Sequence, residues 1–365
     1  MKKQIFVNGR FLTQPLTGTQ RYARELLKAV DVQINKKEEV GEKEFSITIL
    51  APRGIVNPIQ LKNIKTKTVG CFKGNLWEQI SLLWHARNGV LFSPCNTGPF
   101  LHRNQVVTLH DVSVFSVPDS YSLPFRLKYS FLMRVFAKSA KAIITVSQFS
   151  KNEISRVLGI NPEKIIVTHL GGEHVLEIPS DESVFSKFHI GQRPYVLAVG
   201  SNSPHKNLSR LIAAFQEFKY PDFDLVIAGG TFMKIFQSHK LPFTSSIKYI
   251  GYVTDGELRS LYEHAACYVF PSLYEGFGLP PLEAMTLGCP TAVSKTASMP
   301  EICGDAVDYF DPLNVHDIAQ KVARAATEVE HNSELRSRGL EQAKKFSWRY
   351  TARITYQLLG NLLQL

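Results

Sequence analysis

Residues 267–290 read CYVFPSLYEGFGLPPLEAMTLGCP. Residues 267–271 have strand character, and the Gly276-Phe277-Gly278 turn that follows leads into Pro280 and Pro281, which suit the first turn of a helix. That helix continues through Leu282, Glu283, Ala284 and Met285 and ends near Gly288. The same strand-then-helix order repeats outward in both directions. Strands are expected at 3–8, 45–50, 64–69, 89–93, 105–109, 142–146 and 165–168, then at 195–199, 223–228, 247–250, 267–271, 290–293 and 307–310. Helical patterns lie between most of them, at 19–31, 76–87, 125–141, 148–158, 207–218, 255–265, 280–287, 314–330 and 333–345. So many strands exceed one ordinary sheet. The fold class is therefore α/β, as two Rossmann-like doubly wound domains. A length of 365 residues, at roughly 150 per domain, agrees. The boundary is expected where Gly171-Gly172 and the polar segment IPSDESVFSKFHIGQRP separate two strand-rich regions. This gives domains 1–180 and 181–345, with a helix at 346–365 crossing back onto the first.

Composition narrows the function classes. With 44% hydrophobic and 20% charged residues the chain is globular and not disordered. No apolar run approaches the ~20 residues of a membrane span. The start, MKKQIFVNGRFL, has an apolar core only from Ile5 to Val7, so it reads as a first strand and not as a secretory signal. Five cysteines, at 71, 95, 267, 289 and 303, lack a C-x-x-C pair, which argues against a disulfide framework or zinc site and for a reducing, cytoplasmic compartment. Residues 1–180 hold 24 Lys/Arg against 13 Asp/Glu, whereas residues 181–365 hold 18 against 19. The basic half suits nucleic acid, an anionic membrane surface or an anionic substrate.

Several stretches carry chemistry. Strand 195–199 ends at Gly200, then Ser201 and Lys206 precede a helix from Asn207. The carboxyl end of a parallel strand facing a helix start is where phosphates bind. The Walker spacing is absent, and a plain turn with a solvated lysine fits these residues too. In the 267–290 stretch the helix start aims its free N–H groups and dipole beyond the strand ends. Glu275 stands just before the turn and Glu283 about one turn into the helix. Ionised carboxylates only accept hydrogen bonds, so the hydroxyls of a sugar or ribose are natural partners. The plainer reading makes Glu283 a dipole partner and Glu275 a solvated loop charge. Strand 105–109 ends at His110, placed either as an acid, base or donor, or as a loop histidine with local partners. Gly18-Thr19 marks another helix start behind a strand. Around 125–141, Phe125, Tyr129, Leu132 and Phe136 are expected to form one buried stripe. Arg134, Lys138 and Lys141 fall opposite, with Leu127 and Phe131 among them. Basic and apolar residues mixed on one face suit an anionic lipid surface, although a solvated basic face has the same pattern. Asp222-Phe223-Asp224 has the spacing of a metal motif but opens a strand, the wrong end for a ligand, so no metal is expected.

EGFGLPPLE resembles the glutamate–seven residues–glutamate motif of the family-four retaining glycosyltransferases, which have the GT-B fold. TGTQRYARELL, HDVSVF, TVSQFSKNEI, VGSNSPHKNLSRLIAAF, IAGG, GYVTDGELRSLYEHA, ASMPEICGDAVDYFDP and a terminal FSW helix occur in the matching order. VNGRFLTQPLTG and GNLWEQISLLWHARNGVLFSPCNTGPF are similar to members that build bacterial surface polysaccharides. The resemblance implies two domains facing a cleft. The second would bind a nucleotide-diphosphate sugar, with a GDP-linked sugar such as mannose favoured. The first would bind the acceptor; the basic half and the 125–141 face add the expectation that this is a glycan or polyprenyl-linked chain at the inner face of the plasma membrane. It implies that Glu275 holds donor-sugar hydroxyls and Glu283 the ribose. Backbone N–H groups of Phe277, Gly278 and Leu279 would hold sugar and pyrophosphate, as Gly200 and Lys206 hold phosphate. His110 would lie near the transferred sugar, and the base would lie against Gly251, Tyr252 and Val253. Relatives often carry arginine where this chain has Ser201 and His205. The reaction implied retains configuration, uses no metal or other cofactor, and makes Glu275 a positioner. A GT-B sugar-nucleotide epimerase lacks its acid and base residues here. A nucleic-acid binder would leave the glutamate motif unexplained, so no nucleic-acid partner is expected.

Overall fold

The computed structural model describes residues 4–39, 45–201, 203–218, 222–230 and 246–364. Its strands form two sheets in which every neighbouring pair is parallel. The first contains β1 (Gln4–Asn8), β2 (Ser46–Ala51), β3 (Lys65–Thr68), β4 (Val90–Ser93), β5 (Gln105–Thr108), β6 (Ala142–Thr145) and β7 (Ile165–Val167), in the order β3-β2-β1-β4-β5-β6-β7. The second contains β8 (Tyr195–Val199), β9 (Asp224–Ala228), β10 (Ile247–Gly251), β11 (Cys267–Phe270), β12 (Thr291–Ser294) and β13 (Asp308–Phe310), in the order β10-β9-β8-β11-β12-β13. Both are doubly wound α/β sheets of the Rossmann type. Strand order reverses between β1 and β4 in one and between β8 and β11 in the other, the crevice positions where such sheets bind ligands.

Burial explains the sequence pattern. β4, β5 and β6 are buried along their whole length, so they read as continuous apolar runs. β3, KTKT, is exposed throughout, and its lysines discourage pairing at the sheet edge. In the first core, Trp77, Leu82 and Ala86 pack with Phe6, Leu50 and Leu91. In the second, Leu211, Ile212 and Phe215 of the helix Leu208–Gln216 pack on Val196, Leu225 and Val269. Local caps delimit the helices. Ser147 accepts from Ser150 N ahead of the helix Gln148–Leu158, and Gly159 ends it at φ 65°. Thr254 and Glu257 form a capping box for the helix Asp255–His264.

The chain divides into two compact units. One comprises the residues up to Phe115, then 122–170, and those from Ser347 on, and the other comprises 116–121 and 171–346. The division falls at Leu170/Gly171 instead of 180/181. The intervening residues, GGEHVLEIPS, are committed to the second unit: His174 meets Glu283, and Ser180 Oγ lies 2.8 Å from Ser260 Oγ. The helix Trp348–Gln364 lies on the helix Gly18–Glu39 of the first unit, with Tyr22 and Trp348 ring centroids 6.1 Å apart and Phe45 stacked on Tyr356 at 4.7 Å.

Two further expectations are corrected. Phe125 is exposed, because in the helix Leu123–Ser139 burial begins only at Leu132 and continues through Met133, Phe136 and Ala137. Phe125 instead stacks on half-buried Tyr129 at 4.2 Å. The helix expected at 76–87 contains a π-helical segment, Trp77–Leu82, between the short α-helical pieces Gly74–Leu76 and Leu83–Ala86. Among the described residues no helix is long and apolar enough to cross a membrane.

Candidate active site

In the second unit, the carboxyl ends of β8 and β11 carry facing loops. β8 runs out at Val199-Gly200, then a tight turn, Pro204–Lys206, leads to Asn207 at φ 56° and the helix from Leu208. Asn207 Nδ2 donates to the carbonyls of Pro271 (3.1 Å) and Pro312 (2.8 Å), and Leu273 N donates to His205 O at 2.7 Å. These bonds fix the Lys206 turn against the loop after β11. Lys206 Nζ then meets Glu275 Oε1 at 2.6 Å, both partly open to solvent. The ammonium is also 5.5 Å from the Phe270 ring centroid. A lysine and a carboxylate thus meet at the strand-order reversal, where a phosphate and a hydroxylated group can each take one partner.

The glutamate loop is held from below. Ser298 Oγ is 3.0 Å from Glu275 O and 2.8 Å from Phe277 O. Gly278 adopts φ 101°, a backbone conformation that side-chain-bearing residues rarely take, and a Cβ there would also push aside the end of the Met299 side chain. The helix Leu279–Thr286 follows at once. Pro280 and Pro281 carry no N–H, so Leu279 supplies the only N–H among the first three helical residues. The helix start therefore offers fewer free N–H donors than the sequence pattern suggested, and Lys206 is the cation the loops hold beside it. Glu283 is buried and accepts from His174 Nε2 at 3.0 Å.

The neighbouring strand ends complete this side. Gly229, after β9, stands at φ 97° where a Cβ would meet Gly200 O, and its N–H donates to Gly251 O at 2.6 Å. Beyond Gly251, Tyr252 is exposed and Val253 buried. Ser201 is exposed, 3.2 Å from Ser203 by their hydroxyls. At the opposite end of the sheet, Asp224 opens β9 and pairs with Lys248 (3.0 Å) and Arg193 (3.4 Å). Among the described residues no group of three His, Cys, Asp or Glu side chains is placed to hold a metal. A concavity of about 460 Å³ lined by Arg193, Tyr195 and His264 also opens at that amino-terminal end, away from the Lys206–Glu275 pair.

In the first unit, Gly18 opens its helix with open space where a Cβ would stand, and Thr19 O accepts from Cys95 Sγ at 3.3 Å. His110 is buried just past β5. Its N–H donates to Asn96 Oδ1 (2.9 Å), its Nε2 is 3.0 Å from Pro94 O, and its ring meets Tyr22 edge-on at 4.7 Å. A carbonyl partner assigns the proton to Nε2, leaving Nδ1 as the acceptor. Burial lowers the His110 pKa, so the ring is neutral at pH 7. His102 is lowered by burial as well. In the unfolded chain both take up a proton below about 6.5, whereas the folded protein resists it. Unfolding free energy should therefore decline as pH falls through that value and level off below the folded pKa values. Urea melts between pH 7 and 5 check this, and His110→Gln should make the slope shallower.

Sequence reasoning missed three supports: His174 on Glu283, Ser298 under the glutamate loop, and a buried network at the β1/β4 reversal. In the last, Glu78 accepts from Asn8 (2.8 Å), Thr97 (2.7 Å) and Arg10 (2.7 Å). The ASMPEI stretch, read beside the glutamate motif, held the only signal for Ser298. Leu127, Phe131, Arg134, Lys138 and Lys141 are all exposed.

Residues 180–346 match the family model described as Glycosyl transferases group 1, and residues 72–172 match Glycosyltransferase Family 4. The chain is 30% identical over 319 residues to O-antigen chain mannosyltransferase RfbU of Salmonella typhimurium, covering 84% of this chain and 87% of that protein. It is 34% identical over 257 residues to O-antigen chain mannosyltransferase B of Escherichia coli, covering 67% of this chain and 66% of that one. Against the serotype-specific mannosyltransferase WbdA of Escherichia coli, 31% identical, the match spans 63% of this chain but only 29% of the longer protein. Sucrose-phosphate synthase from Thermosynechococcus elongatus has a similar structure, with TM-score 0.77, 16% identity and full coverage of both chains. So does Anabaena Alr3699/HepE in complex with UDP and glucose, with TM-score 0.71 and 17% identity over 99% of this chain and 100% of that one.

Proposed function

This chain belongs to the group 1 glycosyl transferases, with O-antigen mannosyltransferases among its relatives, and from that membership we propose that it transfers a mannose-type hexose from a nucleoside diphosphate, GDP by preference, to a growing surface glycan. The acceptor is a glycan or polyprenyl-linked chain worked on at the cytoplasmic face of the membrane. Five free cysteines suit that reducing side. The observation that carries the reading is the Lys206–Glu275 pair at the β8/β11 reversal.

The chemistry follows from the two charges. As the bond from the anomeric carbon to phosphate oxygen breaks, its electron pair stays on the diphosphate and positive charge grows on the sugar. Lys206 stabilises the departing oxygens in a site already built around it. Glu275 accepts hydrogen bonds from sugar hydroxyls and fixes the ring. Glu283, steadied by His174, accepts from the ribose, and the base lies along Gly251 to Val253. In the first unit, neutral His110 offers Nδ1 to a sugar hydroxyl. The acceptor oxygen enters on the face the diphosphate leaves, and its proton passes to a departing phosphate oxygen. Configuration is thereby kept, and a lysine replaces the cation that other transferases recruit as a metal.

The test is transfer from GDP-mannose to a synthetic polyprenyl-linked mannoside in a chelator. Expected are an undiminished rate and, by NMR, a new linkage with the donor's configuration. Turnover lost in the chelator and restored by Mg²⁺ or Mn²⁺ would disprove metal independence. An inverted linkage would disprove the same-face mechanism.

A further inference from the structure

Asn8 ends β1 and Glu78 lies in the π-helical segment Trp77–Leu82, 70 positions away, and the mechanism above uses neither. The fold joins them at the β1/β4 reversal, where a doubly wound sheet binds ligands. Glu78 is 2% exposed, yet it is charged and paired with Arg10. A buried ion pair contributes little stability beyond what apolar residues of the same volume would, and π turns gather at functional sites. Both features point to a task beyond packing.

Arg10 has an edge to spare. Its side chain is 16% exposed, and of its five guanidinium N–H groups only one on Nη1 has a partner, Glu78, among the described residues. The loop after β4 sets this edge close to His110. Pro94 O and Asn96 Oδ1 hold His110, and Thr97, the next residue, holds Glu78. The same loop reaches the helix Leu123–Ser139, where the Phe100 ring meets Phe131 edge-on at 5.7 Å. On that helix Lys128 is half-buried with its Nζ 5.4 Å from the Tyr129 ring centroid, and Tyr129 stacks on Phe125 at 4.2 Å. Among the described residues Lys128 has no carboxylate partner. Burial first, and then the charge of Arg10, lowers the Lys128 pKa, and Glu78 offsets only part of this. Two cations thus share a half-buried place with one carboxylate, which leaves one positive charge over. A sugar hydroxyl would satisfy Arg10 and leave that charge unanswered. An oxyanion answers both, because a guanidinium edge offers parallel N–H groups to two oxygens and an ammonium adds a point charge.

We propose that Arg10 and Lys128, positioned by Glu78 and Tyr129, bind an oxyanion, phosphate or carboxylate, carried by the acceptor beside the hydroxyl that is glycosylated. This names the acceptor class for the reading above and rests on it, but its test needs no sugar donor, so the two fail separately. The test is calorimetric titration with three probes that share an octyl chain: octyl-diphosphate-linked mannose, octyl mannuronoside and octyl mannoside. At least one anionic probe should bind about tenfold or more tighter than the neutral mannoside. Preference for the diphosphate assigns the site to a carrier phosphate, and preference for the uronoside assigns it to an acidic sugar. Lys128→Gln should erase the preference without changing the melting temperature, and Lys128→Arg should keep it. Arg10→Gln combined with Glu78→Gln should erase it too, and this pair leaves no buried charge unpartnered. Lys67→Gln, on the exposed edge strand β3, should keep it. The proposal is overturned if the wild type binds the neutral mannoside as tightly as both anionic probes. It is also overturned if Lys128→Gln or the double variant retains the preference, or if Lys67→Gln loses it equally.

Discussion

Glu275→Gln should abolish sugar transfer while leaving nucleotide affinity nearly intact. The amide keeps the shape of the carboxylate, and the loop's anchorage on Ser298 involves backbone carbonyls that the substitution does not touch. On the proposed reading, what is lost is the charge that would accept hydrogen bonds from the sugar. Each charged hydrogen bond contributes about 1.5–3 kcal/mol, so losing two lowers turnover by about 10²–10⁴-fold. Lys206 keeps its charge and remains available to the diphosphate. Calorimetric titration with GDP, set beside steady-state transfer rates, separates the two effects. Glu283→Ala should behave in the opposite way and weaken the nucleotide itself. Full turnover in Glu275→Gln would end the assignment of that residue.

Lys206→Met should lower turnover by about 10²–10³-fold, the usual cost of removing one preorganised group from developing negative charge. Unlike Glu275→Gln, it should weaken diphosphate binding as well. The prolines at the start of the 279–286 helix sharpen this expectation, because few backbone donors remain to substitute for the ammonium. Lys206→Arg keeps the charge but spreads it over a planar group unsuited to the single 2.6 Å contact with Glu275, so it should restore affinity more than rate. If Lys206→Met turned over like the wild type, the leaving group would have to be stabilised elsewhere.

The architecture was legible because parallel strands buried on both faces cannot hide. Runs such as AIIT and YVLAV have no polar alternation to blur them, and each expected strand has its counterpart among the described residues. Parts of the site's frame were legible for a related reason: prolines and glycines mark backbone geometry directly, as at Gly278 and Pro280. Other features depend on distant partners. Residues 171–180 look like a linker until His174 is seen on Glu283, 109 positions away. Glu78 draws on Asn8, Arg10 and Thr97, separated from it by 70, 68 and 19 positions, so nothing local signals a buried carboxylate. Phe125 fits the helical period of the buried stripe. Period alone does not say where along a helix its neighbours begin.

The helix Trp348–Gln364 has a consequence for how the chain is made. The second unit, from 171 to 346 with only a six-residue excursion at 116–121, is fully synthesised before that helix leaves the ribosome. The first unit, although most of it is made earlier, lacks a piece of its own core until Trp348 reaches Tyr22 and Tyr356 reaches Phe45. Birth order and completion order are therefore reversed. The earlier-made half must wait with an apolar seam uncovered while the later-made half closes, and that interval is when a nascent chain is open to chaperones and to aggregation.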